Sequence, residues 1–203
     1  RLTPQRLYHS ICVAEQAKHL AEKFGFNPEK AYTAGLVHDI MRYEPVEKML
    51  ELIENDGQIL TDSEKNITVT LHAIAGEIFL RKELGVTDNE ILSAVRWHTT
   101  GKEDMTLLEK IIYVADLTSE DREYPDILEV RAMAEESLDK TCLRGLSFTI
   151  EDNAKKYANE KVYARSVHAI YCGKISKRAY FACGVGYLDA LYSSGSRTLD
   201  ENL

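Results

Sequence analysis

Ala34-Gly35-Leu36-Val37-His38-Asp39-Ile40 is the stretch on which the reading of this chain turns. Small residues at 34 and 35 allow a neighbouring helix to pack closely, and His38-Asp39 sets an imidazole beside a carboxylate. These two groups together bind borderline transition metals, and an adjacent pair can give one ion a nitrogen while the carboxylate spans two ions. Working outward, His9, His72, His98 and Asp116 lie in separate segments. Helices of a bundle could bring them together in its core. A single histidine is more often a hydrogen-bonded core or surface residue, and His19 and His168 are read that way.

The flanking pattern is helical almost throughout. Thr3-Pro4 offers an N-cap followed by proline at the first helical position, and Leu7, Ile11, Ala14, Ala17, Ala21 and Phe24 form a stripe closed by Gly25. A second helix is expected from Pro28 through His38, and a third over Glu44 to Asn55, ending at Asp56-Gly57. Thr61-Asp62-Ser63-Glu64 has capping-box spacing and should open the helix that carries His72, with Gly85 at its end. Thr87 to Glu90 repeats the box and opens a helix that leaves His98 at its C-terminal end. Thr106 to Glu109 is a third box, whose helix buries Leu107, Leu108, Ile111, Ile112 and Ala115 and delivers Asp116. Helices are expected again over Ile127 to Asp139 and Leu143 to Ala169. Beyond Tyr171 the composition shifts, with a short strand expected around Tyr180 to Tyr187 and a flexible run at Ser193-Ser194-Gly195-Ser196.

A length of 203 residues suits one hydrophobic core and one domain. The formal net charge of -8 argues against nucleic acid or an anionic membrane as partner. No apolar run approaches the length of a membrane span, and no signal peptide is visible. Cys12, Cys142, Cys172 and Cys183 show no paired spacing, which fits a reduced, cytoplasmic protein.

Read in order, H...HD...H...H...D resembles the HD-domain metal phosphohydrolases, and more closely the YqeK-type symmetrical diadenosine tetraphosphate hydrolases. The resemblance rests on Arg6-Leu7-Tyr8-His9-Ser10, on the 34–40 stretch, on His72 with Gly76, and on one longer block. That block runs Ala94-Val95-Arg96-Trp97-His98-Thr99-Thr100-Gly101-Lys102 and then Leu108-Glu109-Lys110-Ile111-Ile112-Tyr113-Val114-Ala115-Asp116. It implies an all-α HD-domain helical bundle over residues 1–170, with 171–203 a divergent C-terminal segment.

The resemblance further implies that His9, His38, Asp39 and Asp116 hold one ion and that Asp39, His72 and His98 hold a second, so that Asp39 bridges. Asp39 and Asp116 would then be catalytic. The cofactor implied is a pair of divalent or mixed-valence transition-metal ions, iron first, with manganese, cobalt or zinc also suited to the ligands. The reaction implied is hydrolysis of diadenosine tetraphosphate to two ADP by a metal-activated hydroxide. Beside the ligands, Arg6, Thr99, Gly101, Lys102 and Arg122 are expected to bind the phosphates, Gly101 by letting backbone amides approach an anion. A helix C-cap is the plainer reading of the Thr99-to-Lys102 loop, and surface salt bridges are the plainer reading of the two arginines. Trp97 and Tyr113 are possible walls for a base.

The chain departs from the family pattern at Arg42, where lysine is usual, and at Ser119-Glu120-Asp121-Arg122 and Pro125-Asp126, which replace Glu-Pro before the arginine and Pro-Gly after it. A nucleotide partner and a homodimer complete these expectations. The alternatives are an HD phosphohydrolase for other nucleotides and a noncatalytic HD binding module.

Overall fold

Thr3 accepts the backbone N–H of Arg6 through its side chain, and Pro4 follows, so the chain enters helix α1, Pro4–Phe24, which Gly25 ends at a left-handed φ of 74°. Asn27 caps α2, Pro28–Val37, in the same way. The structure, a computed structural model, describes residues 2–61, 64 and 68–156. The further helices are α3 (Val46–Asn55), α4 (Leu71–Lys82), α5 (Asn89–Trp97), α6 (Leu107–Thr118), α7 (Ile127–Glu136) and α8 (Leu138–Lys156). Among the described residues there is no strand, and the architecture is all-α as expected. The expected segment 171–203 and the expected strand near Tyr180 lie outside the described residues, as does the part beyond 156 of the helix expected over Leu143 to Ala169.

Several helix limits differ from the sequence reading, each for a local reason. Helix α2 stops at Val37, with His38 as its C-cap and a turn through residue 44. Pro45 disfavours helical geometry at Glu44, so α3 starts at Val46 and not at Glu44. Thr61 and Glu64 do exchange capping-box bonds, Thr61 N to Glu64 Oε2 at 3.0 Å and Glu64 N to Thr61 Oγ1 at 3.2 Å. The helix that carries His72 starts only at Leu71, after the β-branched run Thr68-Val69-Thr70, which forms a 3₁₀ turn. The cap of α5 is Asp88 and not Thr87, its carboxylate accepting from Glu90 and Ile91 at the positive end of the helix. Ser137 breaks the expected run over 127–139: its backbone is extended, and its hydroxyl accepts the N–H of Lys140 to open α8 five residues earlier than expected.

The main core joins α1, α2, α5, α6, α7 and α8 through Val13, Leu20, Ala34, Ile91, Ile111, Ile112, Ala134 and Leu146. A second cluster packs α3 on α4 through Met49, Ile53, Ile74 and Ile78, with Met41 from the turn after α2. Gly35 sits where α1 and α2 press together: a Cβ there would lie 2.8 Å from the Ala14 Cα. That close approach brings the end of α2 against the helix that carries His9.

Candidate metal centre

Each histidine of the set is oriented by its Nδ1. His38 donates to the Gly35 carbonyl at 2.6 Å, His72 to the Val69 carbonyl at 2.8 Å, and His98 to the Val95 carbonyl at 2.7 Å. His9 donates instead to Asp121 Oδ2 at 2.7 Å. A neutral ring whose Nδ1–H is engaged presents a bare lone pair at Nε2, and this is how metal-ligating histidines are held. The four Nε2 atoms face inward.

His9 Nε2 lies 3.0 Å from Asp116 Oδ1, and His38 Nε2 lies 3.9 Å from that oxygen and 3.5 Å from Asp39 Oδ2. The other oxygen of Asp39 lies 3.1 Å from His72 Nε2 and 3.4 Å from His98 Nε2, which are themselves 3.2 Å apart. Ligand atoms about 2.0–2.1 Å from one ion stand roughly 3 Å from each other, so this spacing fits shared coordination. Two groups, His9 with His38 and Asp116, and His38 with Asp39 and His98, could each hold an ion. His38 Nε2 is fully buried and without a hydrogen-bond partner, a costly state that a bound cation relieves. The donor set, nitrogens with two carboxylates, fits the metals that the sequence pattern implies.

Burial lowers the His38 imidazole to about 4 and also lowers His72, keeping both rings neutral and able to ligate. Burial pushes the Asp39 carboxyl up, but the His72, His98 and His38 rings packed against it outweigh burial and hold the group well below the carboxylate range. Asp116 behaves alike: burial works against its charge, and His9, His38 and Arg122 win. Around His98 burial disfavours a proton, yet the adjacent Asp39 raises its pKa. Two carboxylates are therefore kept ionised in a largely apolar interior, an arrangement that attracts cations.

Arg6 and Arg122, expected at the phosphates, each reach one of these carboxylates. Arg6 donates to Asp39 Oδ2 at 2.8 Å, and Arg122 donates to Asp116 Oδ1 and, at 2.8 Å, to the Asp116 carbonyl. Arg42, the departure from the family lysine, donates to the Val69 carbonyl at 3.2 Å, the same oxygen that orients His72.

A cavity of about 410 Å³ opens beside the centre, lined by His98, Thr99, Asp116 and Arg122 together with Tyr113, Tyr124, Arg144 and Phe148. Thr99 Oγ1 is buried without a partner. The structure thus places Thr99 and Arg122 at the cavity, whereas Gly101 and Lys102 are not in its lining. Gly101, at φ 59°, closes α5 by donating to the Trp97 carbonyl at 2.8 Å, and Lys102 turns back to Glu109 at 2.9 Å. Tyr113 faces the cavity, while Trp97 lines a separate open hollow with Arg96 stacked 4.1 Å over its ring. His19 pairs with Glu135 on the surface, away from the centre.

Sequence reasoning missed Asp121, Arg144 and Phe148. Asp121 stood in a run of acids next to Asp116 and was visible only as a departure from pattern. The two α8 residues carry no local signal, since only the packing of α8 onto α6 and α7 brings them to the cavity.

Residues 6–121 match the HD domain family. A symmetrical bis(5'-nucleosyl)-tetraphosphatase of Bacillus subtilis (strain 168) is 36% identical over 163 residues, 80% of this chain and 86% of that protein. A protein of the same name from Halalkalibacterium halodurans is 35% identical over 165 residues, 80% of this chain and 85% of that one. Among solved structures, a predicted HD superfamily hydrolase involved in NAD metabolism from Clostridium acetobutylicum is similar at a TM-score of 0.76 and 35% identity, covering 85% of this chain and 91% of that one. Among the described residues, no helix is long and apolar enough to cross a membrane.

Proposed function

This chain belongs to the HD domain family, and on that premise we propose that it is a symmetrical bis(5'-nucleosyl)-tetraphosphatase, cleaving diadenosine tetraphosphate and water into two ADP. The observation that carries the reading is the convergence of four inward Nε2 atoms and two ionised carboxylates beside a cavity with aromatic walls. His9, His38 and Asp116 would hold one ion and His72 and His98 a second, with Asp39 between them. Bound transition-metal ions supply a Lewis acid that lowers the pKa of water and neutralises phosphoryl charge. Iron is the proposed metal, and two ions per chain the proposed stoichiometry.

The remaining work falls to the chain's own residues. Arg6 and Arg122 place guanidinium charge at the two carboxylates, where the substrate phosphates must approach. Thr99 offers a hydroxyl with no competing partner at the cavity edge. Tyr113, Tyr124 and Phe148 give one nucleoside a surface to stack on, and Arg144 lies on the same wall. Holding one nucleoside there fixes which phosphorus meets the centre, and that registration sets symmetrical scission. The departing ADP is a stable anion and needs no dedicated acid. Free Cys12 and Cys142 fit the proposed cytoplasmic location.

The test is product identification. Protein loaded with iron or manganese is incubated with diadenosine tetraphosphate and the nucleotides are separated. ADP alone is expected; ATP with AMP, or no turnover, refutes the proposal.

A further inference from the structure

Three of the four imidazoles at the centre are oriented by backbone carbonyls three residues earlier in the chain, and one, His9, by a side chain. The Asp121 carboxylate that accepts from His9 Nδ1 is itself held, its other oxygen accepting from Ser119 Oγ at 2.7 Å. Both residues sit in the short loop that follows α6. Arg131 of α7 ties that loop down: its guanidinium lies within hydrogen-bond distance of the carbonyls of Thr118 (3.0 Å), Ser119 (2.6 Å), Glu120 (3.1 Å) and Arg122 (3.2 Å). A planar fork of donors gathering one turn's carbonyls leaves that turn little freedom. The loop carries two groups that reach the centre, Asp121 to His9 and Arg122 to Asp116.

We infer that Asp121 is a positioning residue of the metal centre, fixing His9 in the tautomer whose Nε2 faces Asp116, with Arg131 holding the loop that delivers it. The inference rests on the reading that His9 ligates an ion. A carboxylate behind an imidazole does more than a carbonyl does, because its charge makes the far nitrogen a better donor as well as orienting it.

The experiment titrates purified wild type, Asp121→Ala and Asp121→Asn with manganese by calorimetry, and records ring ¹H–¹⁵N correlations of the metal-free proteins. Wild type should bind two equivalents. Asp121→Ala should weaken one of them by about 10- to 100-fold, leave the other in place, and release His9 into a mixture of tautomers. Asparagine still accepts from Nδ1–H, so Asp121→Asn should keep the wild-type tautomer and weaken that same equivalent less. Unchanged affinity for both equivalents together with an unchanged His9 tautomer in Asp121→Ala overturns the inference. Should the alanine variant fail to fold, unchanged affinity in Asp121→Asn overturns it equally. A wild type that takes up no ion overturns the reading of the centre itself, and the inference with it.

Discussion

Replacing Gly35 by alanine adds one methyl group where α1 and α2 press together. The new Cβ would lie 2.8 Å from Ala14 Cα and 3.1 Å from both Ala14 N and Val13 O, against 3.4–4 Å for ordinary contact. All three neighbours are backbone, so no side chain can rotate away and α1 must move. Overpacking of this kind costs about 1–3 kcal/mol, and contact with backbone alone argues for the upper end. Alanine regains up to about 1 kcal/mol over glycine inside a helix, which leaves a net loss of roughly 2 kcal/mol. For a chain of this size that is about 4–8 °C in Tm. The control is Gly76→Ala, whose Cβ would meet Val95 Cγ1 at 3.4 Å, an ordinary contact, so its helix propensity gain should leave stability unchanged or higher. Both are read by thermal denaturation of metal-free protein. If Gly35→Ala melts at or above wild type, the close approach of α1 and α2 is wrong. Because the Gly35 carbonyl orients His38, the same variant should also bind metal more weakly than Gly76→Ala does.

Asp39→Ala removes the carboxylate shared by His38, His72 and His98, and elemental analysis should find both metal content and turnover reduced to background; normal turnover overturns the bridging assignment. Phe148→Ala strips an aromatic wall of the cavity and should raise KM roughly 5- to 150-fold while metal content stays at the wild-type value, whereas an unchanged KM removes the base from that wall. Glu109 is buried; burial raises its carboxyl, but bonds from Ser93 and Lys102 win and hold it below its ordinary range. Its contribution is therefore present above the unfolded-state pKa and lost as pH falls through the folded one. Glu109→Gln should lower stability at neutral pH and flatten the acid limb of the stability profile; an unaltered acid limb contradicts this.

The HD pair, the Thr106 capping box and the proline start of α1 were legible because each is settled within a few residues. Fold class followed from the same local signals. What the chain does over long separations was not legible. Asp121 meets His9 across 112 positions, and nothing near either residue announces it. Lys102 shows the converse: its place after Thr99-Thr100-Gly101 suggested an anion loop, yet buried Glu109 needs a cation and takes it. The turn at Gly101, at φ 59°, agrees with the helix C-cap that is the plainer reading of the Thr99-to-Lys102 loop. Ser137 was legible as a cap in principle, and the helical periodicity running through it obscured the break.

Three helices finish at the centre. His38 follows the last residue of α2, His98 follows the last residue of α5, and Asp116 lies in the final turn of α6. A helix ends on unsatisfied carbonyls and carries about half a negative charge there. Three such ends converge beside Asp39 and Asp116, and the Arg6 and Arg122 guanidinium groups offset only part of that negative charge, so a further cation is favoured there. Metal uptake therefore acts on folding as much as on chemistry: ions that bind only the folded chain raise its stability by mass action, about 2.7 kcal/mol at a free concentration one hundred times Kd. If the centre takes up ions as proposed, thermal denaturation with and without added metal should show the stability of the bundle rising with free metal concentration.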